Sequence, residues 1–322
     1  MLKKSRFMRD FIKKRKDKKD LNIKFNDILK QSNISLTENY MNRISDCGTF
    51  LEFISDKEYE NFKLSGANFC GNRFCPHCSF NKARKDAIEF DVLIKYIQEK
   101  YNYSFLFLTL TAPNVKGDFL DLEIRDYYRS IKRLFELKRV KNICKGYIRK
   151  LEVTYNSDQN TFHPHYHILI AVNKSYFTDT KSYLSRNDWL DLWQQSKRDI
   201  SITQLDIRKV KESDLFNSVL EISKYVSKDS NYLYSKEVFE VFYRSLKGKQ
   251  YYTFTGVFKE SHKLYNNKKL DYLKEIDNIE YIYKIYYVRK NSNYNLKNIL
   301  KLNKEELEKY NNNYIEEDIN VL

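Results

Sequence analysis

Hydrophobic positions along the chain switch between the helical and the extended period, and each switch marks an element. Ala87, Phe90, Leu93, Ile94 and Ile97 recur at helical spacing and predict a helix over 86–101. The run Ser104–Thr111, dense in Phe and Leu, predicts a strand that ends at Ala112-Pro113-Asn114. Leu122, Tyr127, Ile131 and Leu134 return to the helical period over 121–138. Strands predicted at Tyr147–Tyr155 and His163–Val172 flank the polar turn Asn156-Ser157-Asp158-Gln159-Asn160. Trp189 and Trp193 stand one turn apart in a helix over Arg186–Ser196. A strand at Gln204–Val210 precedes a helix at Glu212–Lys228. Residues 235–246 read as helical and Tyr251–Phe258 as extended, and the alternation of Tyr, Ile and charge beyond 262 predicts no particular element. The order β-α-β-β-α-β-α implies an α+β fold, a largely antiparallel sheet backed by helices.

Composition changes this picture little, but charge changes it more. Seven Gly and three Pro in 322 residues argue against a disordered or fibrous chain. Lys and Arg number 58 against 43 Asp and Glu, a net +15, and a polyanion is the natural partner of such an excess. The first 30 residues hold 12 Lys and Arg against 4 Asp, more than half of that excess. The run Lys13–Lys19 therefore reads as part of a flexible basic arm, taken as residues 1–40. No apolar run is long enough for a membrane span, and no apolar core follows the first basic residues as in a secretory signal. The expected location is the cytoplasm, where the five cysteines stay reduced and read as metal ligands or buried thiols.

Three constellations carry chemistry. Cys70-x4-Cys75-x2-Cys78, with Cys47 upstream, offers four thiolates to a tetrahedral structural Zn²⁺, in a cysteine-rich module over 41–85. His77 is an alternative to Cys47, though its place between Cys75 and Cys78 is awkward for a shared ion. The second is His163-Pro164-His165-Tyr166-His167. Alternate residues of a strand share a face, so the three histidines point one way and Tyr166, Ile168 and Ile170 the other. Two such imidazoles bind one divalent ion from one side. A hairpin brings Glu152 of the preceding strand to the same face as a third ligand, with His163 as runner-up. An oxygen donor beside two imidazoles suits Mg²⁺ or Mn²⁺ and leaves positions open for phosphate oxygens. The third is Glu221-x3-Tyr225-x2-Lys228, an acid or base, a phenol and a cation on one helix face. Alone, such a face is ordinary. The histidine strand upstream is what makes it a candidate.

Together these segments resemble the rolling-circle plasmid replication initiator (Rep) proteins of the HUH endonuclease superfamily. The resemblance covers about residues 45–260. It includes Asn68–Cys78, the first family motif at Phe107–Asn114, the histidine motif His163–His167, the tyrosine motif Glu221–Lys228, and the segments Leu246–Gln250 and Phe254–Lys259. The histidines precede the tyrosine, as in Rep proteins, whereas conjugative relaxases carry the tyrosine first. One departure is Tyr166 between the metal-binding pair His165 and His167.

The resemblance implies an HUH nickase domain over 86–230 with a C-terminal extension over 231–322. It implies a metal-dependent nick at the double-strand origin by Tyr225, leaving a 5′-phosphotyrosine and a free 3′-hydroxyl. Glu221 would activate water for the terminating cleavage, and Lys228 would steady the phosphate or tyrosinate charge. Single- and double-stranded origin DNA, host helicase and host polymerase are the implied partners. The rival readings are an HUH transposase or relaxase, and a zinc-dependent DNA-binding regulator without catalysis.

Overall fold

The structure, a computed structural model, describes residues 6–223 and 229–311. Along the chain come helices α1 (Arg6–Gln31) and α2 (Glu38–Asp46), strands β1 (Phe50–Ser55) and β2 (Phe62–Ala67), and helix α3 (Pro76–Tyr101). Strand β3 (Ser104–Leu110), helices α4 (Leu120–Glu136) and α5 (Lys138–Ile143), and strands β4 (Cys144–Asn156) and β5 (Thr161–Val172) follow. Then come α6 (Arg186–Lys197), β6 (Leu205–Lys209), α7 (Leu215–Ser223), α8 (Asp229–Tyr232), α9 (Lys236–Leu246), β7 (Tyr252–Phe254) and α10 (Gly256–Asn266). The last described elements are β8 (Tyr283–Lys290), β9 (Asn293–Lys301) and α11 (Lys304–Tyr310). This is an α+β protein with two sheets, antiparallel at every pairing. Contacts divide it into two units. One runs to Ile88 and resumes at Lys274, and the other is Glu89–Leu273.

The first unit holds a four-stranded sheet in the order β2-β1-β8-β9. Met8 of α1 packs with Leu51, Phe53, Leu64, Ile285 and Tyr287 in its core. The basic N-terminal run, read from charge as a flexible arm, is ordered as α1. The reason is a buried stripe along the helix formed by Met8, Arg15, Lys19, Asn22, Phe25 and Leu29, at helical spacing. Lys19 is accommodated because its Nζ donates to Asn22 Oδ1 at 2.7 Å and to the Ser45 carbonyl at 2.5 Å. The tail that pattern left unassigned supplies β8 and β9, with β8 paired along β1.

The second unit is built on a five-stranded sheet in the order β6-β3-β5-β4-β7. β4 and β5 form the expected hairpin, and Asn156 Oδ1 closes its turn by accepting the Asp158 and Gln159 amides at 3.0 and 3.1 Å. On one face, Tyr166 meets Tyr127 of α4 with ring centroids 5.6 Å apart, and Trp193 of α6 packs behind Tyr127. The buried Trp193 indole donates to the Thr111 carbonyl at 2.8 Å, which anchors α6 to the end of β3. The other face carries the histidines and receives α7. Val219 and Ile222 of α7, three residues apart, are fully buried.

Two boundaries differ from the pattern. Helix α3 starts at Pro76, ten residues before the apolar periodicity, because proline suits the first turn of a helix. The extended stretch expected over Tyr251–Phe258 ends at Phe254, and α10 begins at Gly256. Gly256 sits at φ +52° against the bulge in β4, where a Cβ would lie 2.1 Å from the Lys145 carbonyl oxygen. Only glycine permits that approach, so the chain turns into a helix there. Among the described residues no helix is long and apolar enough to cross a membrane.

Candidate metal centres

The cysteine cluster belongs to the first unit. Cys47 ends α2, Cys70 and Cys75 lie between β2 and α3, and Cys78 is in the first turn of α3. All four are free thiols. Their sulfurs stand 3.5 Å apart for Cys47–Cys78 and 3.6 Å for both Cys70–Cys78 and Cys47–Cys75. A disulfide needs about 2 Å. Four thiolates around Zn²⁺ at ~2.3 Å bonds stand roughly 3.8 Å apart, so the cluster fits that ion. Gly71, at φ +73°, makes the turn after Cys70, and amide or side-chain N–H groups of Cys70, Asn72 and Asn22 point at Cys47, Cys70 and Cys75 sulfurs. Mutual hydrogen bonds hold the Cys47 thiol above the ordinary range and pull Cys70, Cys75 and Cys78 below it, which favours thiolates. His77 is fully buried but stands outside the cluster, its ring against Gly48. Burial, then the charges of Arg15 and Lys19, push its imidazole down to about 3.

The histidine site belongs to the second unit. Register places Glu152 of β4 directly across from His165 of β5, and Lys150 across from His167. Glu152, His165 and His167 offer ligand atoms that all lie within 4.8 Å of one another. Glu152 Oε2 stands 3.0 Å from His167 Nε2 and 3.5 Å from His165 Nε2. Neighbouring ligands of an ion with ~2.1 Å bonds stand about 3 Å apart, close to these separations.

The far ring nitrogens support the same use. His167 Nδ1 meets Thr109 Oγ1 of β3 at 3.2 Å, and His165 Nδ1 meets the His163 carbonyl at 3.3 Å. With Nδ1–H donating to those oxygens, Nε2 is the ring atom of both histidines that faces Glu152, and it becomes a metal ligand when the ion takes the place of the proton it shares with the carboxylate. Burial acts to raise the Glu152 carboxyl, but hydrogen bonds with His165 and His167 outweigh it and hold the group below the usual carboxylate range. An acid–imidazole donor set with this geometry fits Mg²⁺ or Mn²⁺.

Other expected site residues fall as follows. His163 lies outside the ligand group and contributes its carbonyl. Glu221, near the end of α7, brings Oε1 to 3.9 Å from His167 Nε2. Tyr225 and Lys228 lie outside the described residues. Two residues had no assigned role in the sequence. Thr109 is in the first family motif, and its hold on His167 follows from β3 pairing with β5. Lys150 is fully buried on the face of Glu152, with Nζ 5.9 Å above the Tyr252 ring, and strand alternation from Glu152 is the signal that finds it.

A family model described as "Replication protein" matches residues 61–311. A "Protein rep" of Staphylococcus aureus is 44% identical over 220 residues, covering 68% of this chain and 94% of that protein. One from Streptococcus pneumoniae is 35% identical over 251 residues, covering 76% and 78%. One from Bacillus amyloliquefaciens is 34% identical over 247 residues, covering 70% and 72%. No solved structure is a significant match. With a family match over more than three quarters of the chain, and a relative that this chain covers almost end to end, the chain belongs to the Rep replication-protein family of plasmid replication initiators.

Proposed function

We propose that this initiator nicks one strand of its plasmid's double-strand origin through Tyr225. The observation that carries the reading is the 3.9 Å approach of Glu221 to His167. It brings α7, which carries Glu221 of the Glu-x3-Tyr motif, to the cluster of Glu152, His165 and His167.

A divalent ion held by Glu152, His165 and His167 would polarise the scissile phosphate. The chain's own residues do the rest. Thr109 and the His163 carbonyl orient the two imidazoles. The Tyr225 oxygen attacks phosphorus as its proton leaves, the bond to the 3′ oxygen breaks, and that oxygen takes up a proton. The products are a 5′-phosphotyrosine and a free 3′-hydroxyl, which host polymerase extends while a helicase unwinds the duplex. Lys228 steadies the phosphate or tyrosinate charge. At termination Glu221 takes the proton of a water that makes the second cleavage possible. The cysteine cluster, loaded with Zn²⁺ and reduced in the cytoplasm, stabilises the first unit.

The test is incubation with labelled single-stranded origin DNA and Mn²⁺. A covalent adduct that survives denaturation is expected, and its absence with an authentic origin sequence refutes the reading.

A further inference from the structure

The sheet of the second unit has a concave site on the face opposite the histidines. It is a cavity of about 390 Å³ between α4, strands β4 and β5, and the segment leading into β7. That size is within the range of small-molecule sites. Its walls combine four cations with aromatic rings: Arg125, Arg129, Arg149 and Lys249 with Tyr128 and Tyr166.

Arg149 is the decisive residue. It is only 5% exposed, yet among the described residues it has no carboxylate and no hydrogen-bond acceptor. Its guanidinium lies on the Tyr128 ring at 4.3 Å and near the Tyr166 ring at 5.8 Å. A buried guanidinium without an anion is costly, and sites that keep one use it for a ligand's charge. The neighbouring cations are partly neutralised. Arg125 and Lys249 share Asp121 at 2.7 and 2.5 Å, and Arg129 reaches Asp126 at 3.8 Å. Four cations at the cavity against two acids leave it positive.

We propose that this cavity binds a nucleotide. Arg149 and the flanking cations take its phosphate, and the aromatic wall takes its base, the combination by which proteins hold single strands without reading sequence. In an initiator of DNA replication the natural source is one unit of a DNA strand, and a free mononucleotide carries the same chemistry. The site is independent of the cleavage chemistry, because it lies on the other face of the sheet and uses none of its residues.

The test is photo-crosslinking of the full chain, with EDTA present so that no nick occurs. One arm uses a non-origin oligodeoxynucleotide carrying iododeoxyuridine, and the other uses iododeoxyuridine monophosphate. The expected result is a crosslink on the peptide that carries Tyr128 in the oligonucleotide arm. Arg149→Met is expected to reduce it about tenfold. Arg129→Ala with Lys249→Ala, both on the outer rim, is expected to weaken it as well, which covers the case in which Arg149→Met fails to fold. A crosslink at Tyr128 in the mononucleotide arm alone supports the pocket and reassigns its source to free nucleotide. No Tyr128 crosslink in either arm, or one unchanged in both folded variants, overturns the proposal. A His167→Ala protein that loses nicking but keeps the Tyr128 crosslink separates this site from the cleavage reading.

Discussion

Glu221 Oε1 lies 3.9 Å from His167 Nε2, joining a helix to a strand more than fifty positions earlier in the chain. Their meeting sets the carboxylates of Glu152 and Glu221 beside the imidazoles of His165 and His167.

His165→Ala and His167→Ala are each expected to abolish nicking while leaving most duplex origin binding intact, since phosphate contacts elsewhere supply that affinity. Mild EDTA treatment should do the same to the wild type without unfolding it, and Mn²⁺ or Mg²⁺ should restore cleavage. Nicking assays beside gel-shift titrations check this, and normal cleavage by either variant rules the site out.

Tyr225→Phe removes one oxygen and is expected to eliminate the covalent adduct with fold and DNA binding preserved. Glu221→Ala is expected to form the adduct but to terminate poorly, so products longer than one plasmid unit accumulate. Peptide mapping of the trapped adduct decides the first point. Nucleotide on Tyr232 or Tyr234 in place of Tyr225 refutes it.

The cysteine cluster predicts about one Zn²⁺ per chain by metal analysis. Cys75→Ser removes a fully buried ligand that also accepts from Asn22. The variant should lose the ion and melt at least about 10 °C lower. Well-folded wild-type protein free of zinc contradicts the assignment.

Asp188 supplies a pH-dependent prediction away from both centres. It accepts from the Ser185 amide and hydroxyl at 2.8 and 2.6 Å in the capping box of α6, and its carboxylate also pairs with Arg139. Hydrogen bonds from Ser185, then from Arg139, lower it to about 2 from an ordinary 3.8. A depressed carboxylate stabilises the fold above its unfolded value and loses that effect as pH falls through its folded one. Asp188→Asn should therefore melt below the wild type at pH 6, by about 1 kcal/mol in stability. The gap should close as pH drops from 4 to 2. A gap constant over that window, in parallel thermal melts, contradicts the assignment.

Much of the candidate site was legible because it is local. The β4–β5 hairpin closes over a four-residue turn, so alternation along the two strands was enough to put Glu152 on the face of the histidines, and the structure sets it opposite His165. The cysteines announced themselves by spacing, and the strands and helices of the second unit by their apolar period. The basic N-terminal run was misread, because net charge does not reveal which cations a helix turns inward, and Arg15 and Lys19 are buried in α1.

What stayed hidden depends on residues far apart in the chain. β8 joins β1 across more than two hundred positions, and no local pattern encodes that partner. Thr109 reaches His167 because β3 lies beside β5, and strand neighbours are chosen by the packing of whole faces. Arg149 looks in the sequence like one more surface cation. Its burial against Tyr128 exists because α4 folds across that face of the sheet. Periodicity and spacing belong to neighbouring residues and survive in the bare chain. Which faces meet, and what each encloses, is settled by the shared burial of apolar surface when distant elements pack.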